Sequence, residues 1–160
     1  MSDSNLLSSN TIFLDMTAKN YNEVFSVVYK ELLRNNYVEE GFLEALIKRE
    51  EEYPTGLQGV DTVIAIPHAD PVYIKRSFIA AVRTIEPVTF MEMTKSGLSL
   101  KTRIIFILGL KRDGEQLMTL KAIVDNFAKD SILSEAFLKA KNIRECLDIL
   151  KPLEVDKEIT

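Results

Sequence analysis

The chain has 160 residues, with 20 Lys and Arg against 24 Asp and Glu, which gives a net charge of −4 at pH 7. That length suits one domain that buries its own core, so we expect a single domain over residues 1–160 with a mobile tail after about residue 152. The acidic balance argues against a nucleic-acid partner, and a lone cysteine without CxxC or HExxH pairings excludes an internal disulfide and a zinc site, which indicates a metal-free cytoplasmic protein.

The first part of the chain predicts one strand followed by two helices. Residues 11–14 are typical of a short strand. Asn20, with Glu23 three residues later, has the spacing of a capping box and predicts a helix over about 21–34. A second helix is expected over about 39–50. Its apolar side is formed by four residues at helical spacing: Phe42, Leu43, Leu46 and Ile47.

A loop and a strand are expected next. Pro54, Gly56 and Gly59 predict an irregular loop, because proline and glycine interrupt regular structure. The apolar, β-branched run over 63–66 then predicts a strand. This strand ends at His68, so we expect the loop and strand to return the histidine toward the end of the second helix.

Three further strands are predicted in the middle of the chain. Residues 78–83 and 88–90 are typical of two separate strands. Residues 102–108 form a nearly continuous apolar run, which favours a central strand that is covered on both faces.

The last third of the chain predicts three helices. An apolar stripe follows the turn at Asp113 and Gly114, and its members are Leu117, Leu120, Ile123, Val124 and Phe127. A second helix covers about 132–139. Asn142 and Glu145 repeat the capping pattern and open the last helix. Its inward side is predicted to contain Ile143, Cys146, Leu147 and Leu150.

The predicted order is β-α-α-β-β-β-β-α-α-α. Helices at both ends with strands between them favour the α/β class, as a three-layer α/β/α sandwich with a mixed sheet of four to five strands. The sequence contains no internal repeat. No apolar run reaches the roughly 18 residues that a membrane-spanning helix requires.

His68 is the only histidine in the chain. The unperturbed pKa of imidazole lies near neutrality, so a neutral ring can act as a nucleophile, a base or a ligand. The alternative is a structural histidine that simply caps the end of a strand. If the chain performs histidine chemistry, His68 performs it.

Three short segments together form a compound motif. They are Arg49-Glu50, Tyr53-Pro54-Thr55-Gly56-Leu57 and Ile64-Ala65-Ile66-Pro67-His68. In this combination the chain resembles the fructose/mannitol-type IIA component of the bacterial phosphoenolpyruvate-dependent sugar phosphotransferase system. The wording Arg-Glu-x-Glu-Tyr-Pro-Thr-Gly, with Ala69-Asp70 after the histidine, is most similar to the galactitol-specific IIA branch. The resemblance covers almost the whole chain in length and element order.

The resemblance implies a phosphotransferase that works as a phosphohistidine carrier. His68 would accept a phosphoryl group from the phosphohistidine of the protein HPr and pass it to a cysteine of a IIB component, for uptake of a galactitol-like sugar. The membrane component IIC would be an indirect partner, and the sugar would not bind this chain. No cofactor and no metal are implied, since phosphoryl transfer depends mainly on positioning and charge stabilisation. The surface around His68 is expected to be exposed and partly apolar.

Four other residues are candidates for the site. Arg49 would stabilise the phosphoryl group with its planar donor fork, or would be one more solvated charge in the run 48–52. Thr55 would bind the phosphoryl group or shape a turn. Asp70 would orient the histidine ring or cap a short helix that starts at the following proline. Gln116 stands where mannitol-type members carry a second active-site histidine, and its amide could donate a hydrogen bond but cannot titrate.

Two other functions remain open. One is a regulator, like the nitrogen-related IIA proteins, whose phosphorylation state controls partner proteins. The other is a binding domain that keeps the fold without the chemistry. The chain lacks a GxSxG nucleophile turn, a GxxxxGK[ST] phosphate loop and a GxGxxG dinucleotide turn, which argues against hydrolase, nucleotide-dependent kinase and dehydrogenase activities.

Overall fold

The computed structural model describes residues 5–154. Within this range the main elements are five strands and five helices, numbered here in chain order. They are β1 (Ile12–Met16), α1 (Tyr21–Arg34), α2 (Phe42–Glu52), β2 (Gly56–Gln58), β3 (Val63–Ala65), β4 (Phe78–Met91), β5 (Ser99–Gly109), α3 (Asp113–Ile123), α4 (Ile132–Lys139) and α5 (Ile143–Ile149). Most of the tail that the sequence predicts to be mobile lies outside the described residues.

The five strands form one mixed sheet in the order β1-β4-β5-β3-β2. Strand β1 runs parallel to β4, and β3 runs parallel to β5, whereas the β4–β5 and β2–β3 pairs are antiparallel. Strand β5 therefore lies at the centre of the sheet, as its continuous apolar run predicts. The predicted α/β class with a mixed sheet of four to five strands is confirmed.

Helices cover both faces of this sheet. Because successive strand residues point to opposite faces, β4 and β5 supply alternate side chains to two separate apolar clusters. The cluster under α1 and α2 takes from these strands Phe78, Ala80, Val82, Val88, Phe90, Ile105 and Ile107. The cluster under α3, α4 and α5 takes Ile79, Ala81, Ile104, Phe106 and Leu108. The result is the predicted three-layer arrangement.

The observed element order matches the predicted one, but two of the strands are formed by residues other than those predicted. Strand β2 lies where the sequence predicts an irregular loop; it is only three residues long and exists through its antiparallel pairing with β3. The predicted strands over 78–83 and 88–90 are instead one strand, β4. Its pairing with β5 is irregular between Arg83 and Val88, where the exposed Pro87 interrupts the pattern.

The helix predictions are accurate at the starts of α1 and α5, where Asn20 and Asn142 accept hydrogen bonds from the backbone three residues later. Helix α2 begins three residues later than predicted, because Gly41 has a φ of +97° and cannot belong to the helix. The inward assignment of Ile143 is wrong, since this residue is 37% exposed. Leu117 belongs to the predicted apolar stripe but is 73% exposed.

Gly109, at the end of β5, pairs with the fully buried Phe78 of β4. A Cβ atom at Gly109 would overlap the Phe78 ring. We therefore expect Gly109→Ala to lower the free energy of unfolding by about 2 kcal/mol, as is usual when a core is overpacked. Urea unfolding measures this change. The control is Gly114→Ala, whose new Cβ meets no atom within 4 Å; equal stability of the two variants would contradict the prediction.

Candidate functional site

His68 lies just beyond β3, at the end of the sheet where β5 also finishes. The carbonyl of Pro67 accepts a hydrogen bond of 2.9 Å from the amide of Leu108, and His68 itself pairs with Leu108 as an isolated bridge. On the other side, the amide of Ile66 donates to the carbonyl of Thr55 over 3.2 Å. The backbone that carries the histidine is therefore bonded to both neighbouring strands or their extensions.

The His68 ring is half-buried, and its Nδ1 lies 3.2 Å from the carbonyl oxygen of Ile66. A carbonyl oxygen can only accept, so this bond requires the proton on Nδ1 and leaves a lone pair on Nε2. Burial lowers the pKa of His68, the Ile66 bond raises it, and the charge of Arg49 lowers it further, for a net lowering. The ring is therefore neutral near pH 7, in the form that can act as a nucleophile.

Arg49 lies in the last turn of α2, and its exposed side chain is close enough for its charge to act on His68. Its guanidinium carbon is 5.4 Å from the centroid of the Tyr53 ring, which favours a fixed orientation through a cation–π contact. A cavity of about 290 Å³ opens beside it, between α2 and the segment that contains Asp70 and Tyr73. The structure thus brings together a neutral imidazole and a permanently charged donor, as the sequence predicts.

Asp70 begins a single 3-10 turn, Pro71–Tyr73, and its Oδ1 accepts a hydrogen bond of 3.0 Å from the amide of Val72. Of the two roles considered for Asp70, this geometry corresponds to the helix cap, while the ring of His68 is oriented by a carbonyl. Gln116 lies in the first turn of α3 and is half-buried. Within residues 5–154 no hydrogen bond joins it to His68.

Glu50 is a buried acid that the sequence reasoning did not single out. Its side chain is 4% exposed, and its two carboxylate oxygens accept hydrogen bonds of 2.8 Å from the amide and the hydroxyl of Thr55. The Thr55 hydroxyl proton is therefore already donated, and a direct role of Thr55 in binding a phosphoryl group stays a prediction. A signal was present, because Glu50 continues the buried series Phe42 and Leu46 at four-residue spacing.

Burial raises the pKa of Glu50 from its ordinary 4.5 to about 7, although the bonds from Thr55 oppose this shift. The folded protein then holds a proton that the unfolded chain releases near pH 4.5. This group therefore contributes stability that is complete below about pH 4.5 and is lost as the pH rises through about 7.

We expect Glu50→Gln to remove this titration, since an amide keeps the shape without ionising. The stability of the variant relative to wild type should rise between pH 5 and pH 8 by about 2.5 kcal/mol. Urea unfolding at both pH values measures the difference. Glu51→Gln is the matched control, because Glu51 is exposed on the same helix. A difference that does not change with pH would contradict the assignment of the raised pKa to Glu50.

The described part of the chain contains neither a cluster of metal ligands nor a helix that could span a membrane. Over residues 5–154, no group of three or more His, Cys, Asp or Glu side chains is arranged to hold a metal ion. In the same range, no helix is both long enough and apolar enough to cross a membrane.

Comparison with known families agrees with the fold. Residues 5–152 match the family described as phosphoenolpyruvate-dependent sugar phosphotransferase system, EIIA 2. The chain belongs to this family, and the resemblance predicted from the sequence is confirmed. The family description relates the chain to the components of a sugar phosphotransferase system.

Three individual relatives define the similarity more closely. The galactitol-specific EIIA component of Escherichia coli K12 is 27% identical over 111 residues, which cover 69% of this chain and 73% of that protein. The nitrogen regulatory protein IIA-Ntr of Neisseria meningitidis has a TM-score of 0.72 at 26% identity, over 94% of this chain and 99% of that one. Enzyme IIAMTL of Escherichia coli, solved in complex with phosphorylated enzyme IIBMTL, has a TM-score of 0.71 at 21% identity, over 90% and 96%.

Proposed function

We propose that this protein is a phosphocarrier in which His68 accepts a phosphoryl group from phosphorylated HPr and passes it to a cysteine of a IIB component. The observation that carries the proposal is the Nδ1 bond to the Ile66 carbonyl, 3.2 Å long, because it leaves Nε2 as the nucleophilic nitrogen. The lowered pKa of His68 supports it, since the ring need not lose a proton before it attacks.

Bonds and electron pairs are all accounted for in the transfer without an added base. The Nε2 lone pair of His68 forms a bond to phosphorus while the bond between phosphorus and the donor's ring nitrogen breaks, and that electron pair returns to the donor as a neutral imidazole. The phosphorylated His68 ring keeps its Nδ1 proton, which makes it cationic. The Ile66 carbonyl stabilises this charge through the hydrogen bond that orients the ring. In the second transfer, a thiolate attacks phosphorus and the electron pair returns to Nε2.

Arg49 is proposed to stabilise the phosphoryl oxygens during both transfers. A guanidinium group presents several N–H donors in one plane and remains charged at any physiological pH. Its charge acts on His68, and its side chain lines the 290 Å³ cavity together with Asp70, which supports this role. Gln116 is proposed as an additional amide donor to the phosphoryl group; in the unphosphorylated protein it makes no hydrogen bond to His68.

The partners are proposed from the relatives and from the surface near the site. IIAMTL forms a complex with phosphorylated IIBMTL, which supports a IIB component as the acceptor. Val72 and Tyr53 are 71% and 54% exposed close to Asp70 and Arg49, and such apolar groups suit small, transient contacts. The similarity to the galactitol-specific EIIA component supports a galactitol-like sugar as the transported substrate, with IIC as an indirect partner.

The test is a reconstituted relay. The purified chain is incubated with phosphoenolpyruvate, enzyme I and HPr, and its intact mass is measured before and after a galactitol-specific IIB component is added. We expect a gain of one phosphoryl group that is lost again when IIB is present. No gain, with HPr shown to be phosphorylated, would overturn the proposal.

A regulatory protein is the second candidate. It is favoured by the 26% identity to IIA-Ntr, a nitrogen regulatory protein. A regulator would take the phosphoryl group in the same way, so acceptance from HPr does not separate the two functions. Retention of the group in the presence of the galactitol-specific, mannitol-type and fructose-type IIB components would favour the regulator.

A further inference from the structure

Glu50 differs from the other charged side chains at the end of α2. Its neighbours Lys48, Arg49, Glu51 and Glu52 are exposed, whereas Glu50 is 4% exposed. A buried carboxyl group is costly unless its oxygens are paired. Both oxygens of Glu50 are paired with Thr55, one with its amide and one with its hydroxyl, at 2.8 Å each. Helix α2 is thereby tied directly to the residue that precedes β2.

A series of hydrogen bonds leads from this pair to the imidazole. The carbonyl of Thr55 accepts from the amide of Ile66 over 3.2 Å. The carbonyl of the same Ile66 then accepts from Nδ1 of His68, also over 3.2 Å. Glu50, Thr55, Ile66 and His68 are therefore connected by consecutive hydrogen bonds, although 18 positions separate the acid from the histidine in sequence.

The connection to Glu50 matters because the pairing between β2 and β3, which positions Thr55 and Ile66, is short. This pairing comprises three residue pairs at the edge of the sheet, beginning at Gly56 opposite Ala65. A ladder of three pairs is short, and β2 has one further backbone bond at its start, where the amide of Met93 donates to the carbonyl of Gly56 over 2.9 Å. Thr55 and Ile66 are the next residues along the ladder, and the Glu50 carboxyl restrains Thr55 from outside the sheet. Without that restraint, the Ile66 carbonyl would lose part of the support that directs it toward the ring.

We propose that Glu50 is a positioning residue, which holds the His68 ring as the Nδ1–H tautomer through Thr55 and Ile66. The residue does not touch the reacting atoms. Outer groups that fix a histidine tautomer commonly do so through a direct bond to the second ring nitrogen. Here the ring nitrogen donates to the backbone carbonyl of Ile66, and Glu50 acts on that carbonyl through Thr55. The nearer acid, Asp70, is engaged with the amide of Val72.

The tautomer can be measured directly, because His68 is the only histidine. In ¹⁵N-labelled protein, the ring nitrogen shifts and their couplings to the ring protons show which nitrogen carries the proton. We expect Nδ1–H with a bare Nε2 in wild type. Glu50→Ala should give a mixture of both tautomers. Glu50→Gln should retain the wild-type tautomer, since its amide oxygen can accept the Thr55 amide while its NH₂ donates to the hydroxyl.

The controls separate positioning from stability. Glu51→Ala removes an exposed acid from the same turn and should leave the tautomer unchanged. If Glu50→Ala does not fold, Thr55→Val decides, because it removes only the hydroxyl bond; a mixed tautomer in Thr55→Val, restored in Thr55→Ser, would support the proposal. A wild-type tautomer in folded Glu50→Ala, or in Thr55→Val where Glu50→Ala is unfolded, would overturn it.

The catalytic consequence rests on the proposed function, whereas the tautomer measurement does not. If His68 accepts phosphoryl groups through Nε2, Glu50→Ala should slow phosphorylation at saturating HPr by about tenfold, since a misdirected ring attacks less often. If Glu50→Ala changes the tautomer but the wild-type chain never becomes phosphorylated, Glu50 remains a positioning residue and only the carrier role is rejected. An unchanged tautomer with normal phosphorylation would reject only the positioning role.

Discussion

We expect His68→Gln to abolish phosphoryl acceptance from HPr, with no detectable mass gain under conditions that fully phosphorylate wild type. The reason is that no other side chain can replace it. His68 is the only histidine, and the single cysteine, Cys146, is fully buried on α5. Glutamine retains a polar amide of similar reach but has no nucleophilic lone pair. Intact-mass spectrometry measures the change.

Two controls make this result specific. The urea midpoint of His68→Gln should stay near that of wild type, because the ring is half-buried and its one hydrogen bond goes to a carbonyl. The phosphoryl group on wild type should be released by mild acid, as a bond from phosphorus to nitrogen requires, whereas a serine or threonine ester would survive. An acid-stable mass gain that persists in His68→Gln would contradict the assignment of His68.

Arg49→Ala is expected to lower the rate of phosphoryl transfer by about 100-fold, the usual range for loss of one charged donor at a developing negative charge. Arg49→Lys should recover only part of the rate, because an ammonium group keeps the charge but not the planar fork. Quenched-flow measurement at saturating HPr separates the rate of transfer from the affinity for the donor.

Lys48→Ala is the matched control for Arg49. Lys48 precedes it on α2, is exposed, and borders the same cavity. If the site needs only local positive charge, the two alanine variants will be slowed equally, which would contradict a specific role for Arg49. If the guanidinium binds the phosphoryl oxygens, the Lys48 variant will change mainly the affinity for HPr and the salt dependence of docking.

The parts of the site that depend on local chemistry could be predicted from the sequence. His68 follows an apolar run, and Asp70 precedes a proline at the start of a turn, so the strand end and the cap are visible in consecutive residues. The motif from Arg49 to His68 also indicated the family that the comparison confirms. These features require no knowledge of what lies across the sheet.

The parts that depend on distant contacts could not be predicted in the same way. Strand β2 has only three residues and is defined by its partner β3, so its sequence resembles a loop. Leu117 fits an apolar helical stripe, but α3 turns this side chain to solvent. Glu50 stands among exposed charges, and its role becomes visible only when Thr55 is seen to donate to both of its oxygens.

The strand-like bonding around His68 has a consequence for how partners recognise the protein. Pro67 is bonded to Leu108, and Ile66 is bonded to Thr55, so the segment that leads into His68 is held from two sides and has little freedom to rearrange when the ring is modified. The loaded and unloaded carrier should then share one shape and differ by a dianionic phosphoryl group on a cationic ring, a net change of about one negative charge. Partners would distinguish the two forms by electrostatics. Added salt should therefore reduce the difference between a partner's affinity for the loaded form and its affinity for the unloaded form. The direction of transfer would follow from the relative phosphorylation energies of donor and acceptor.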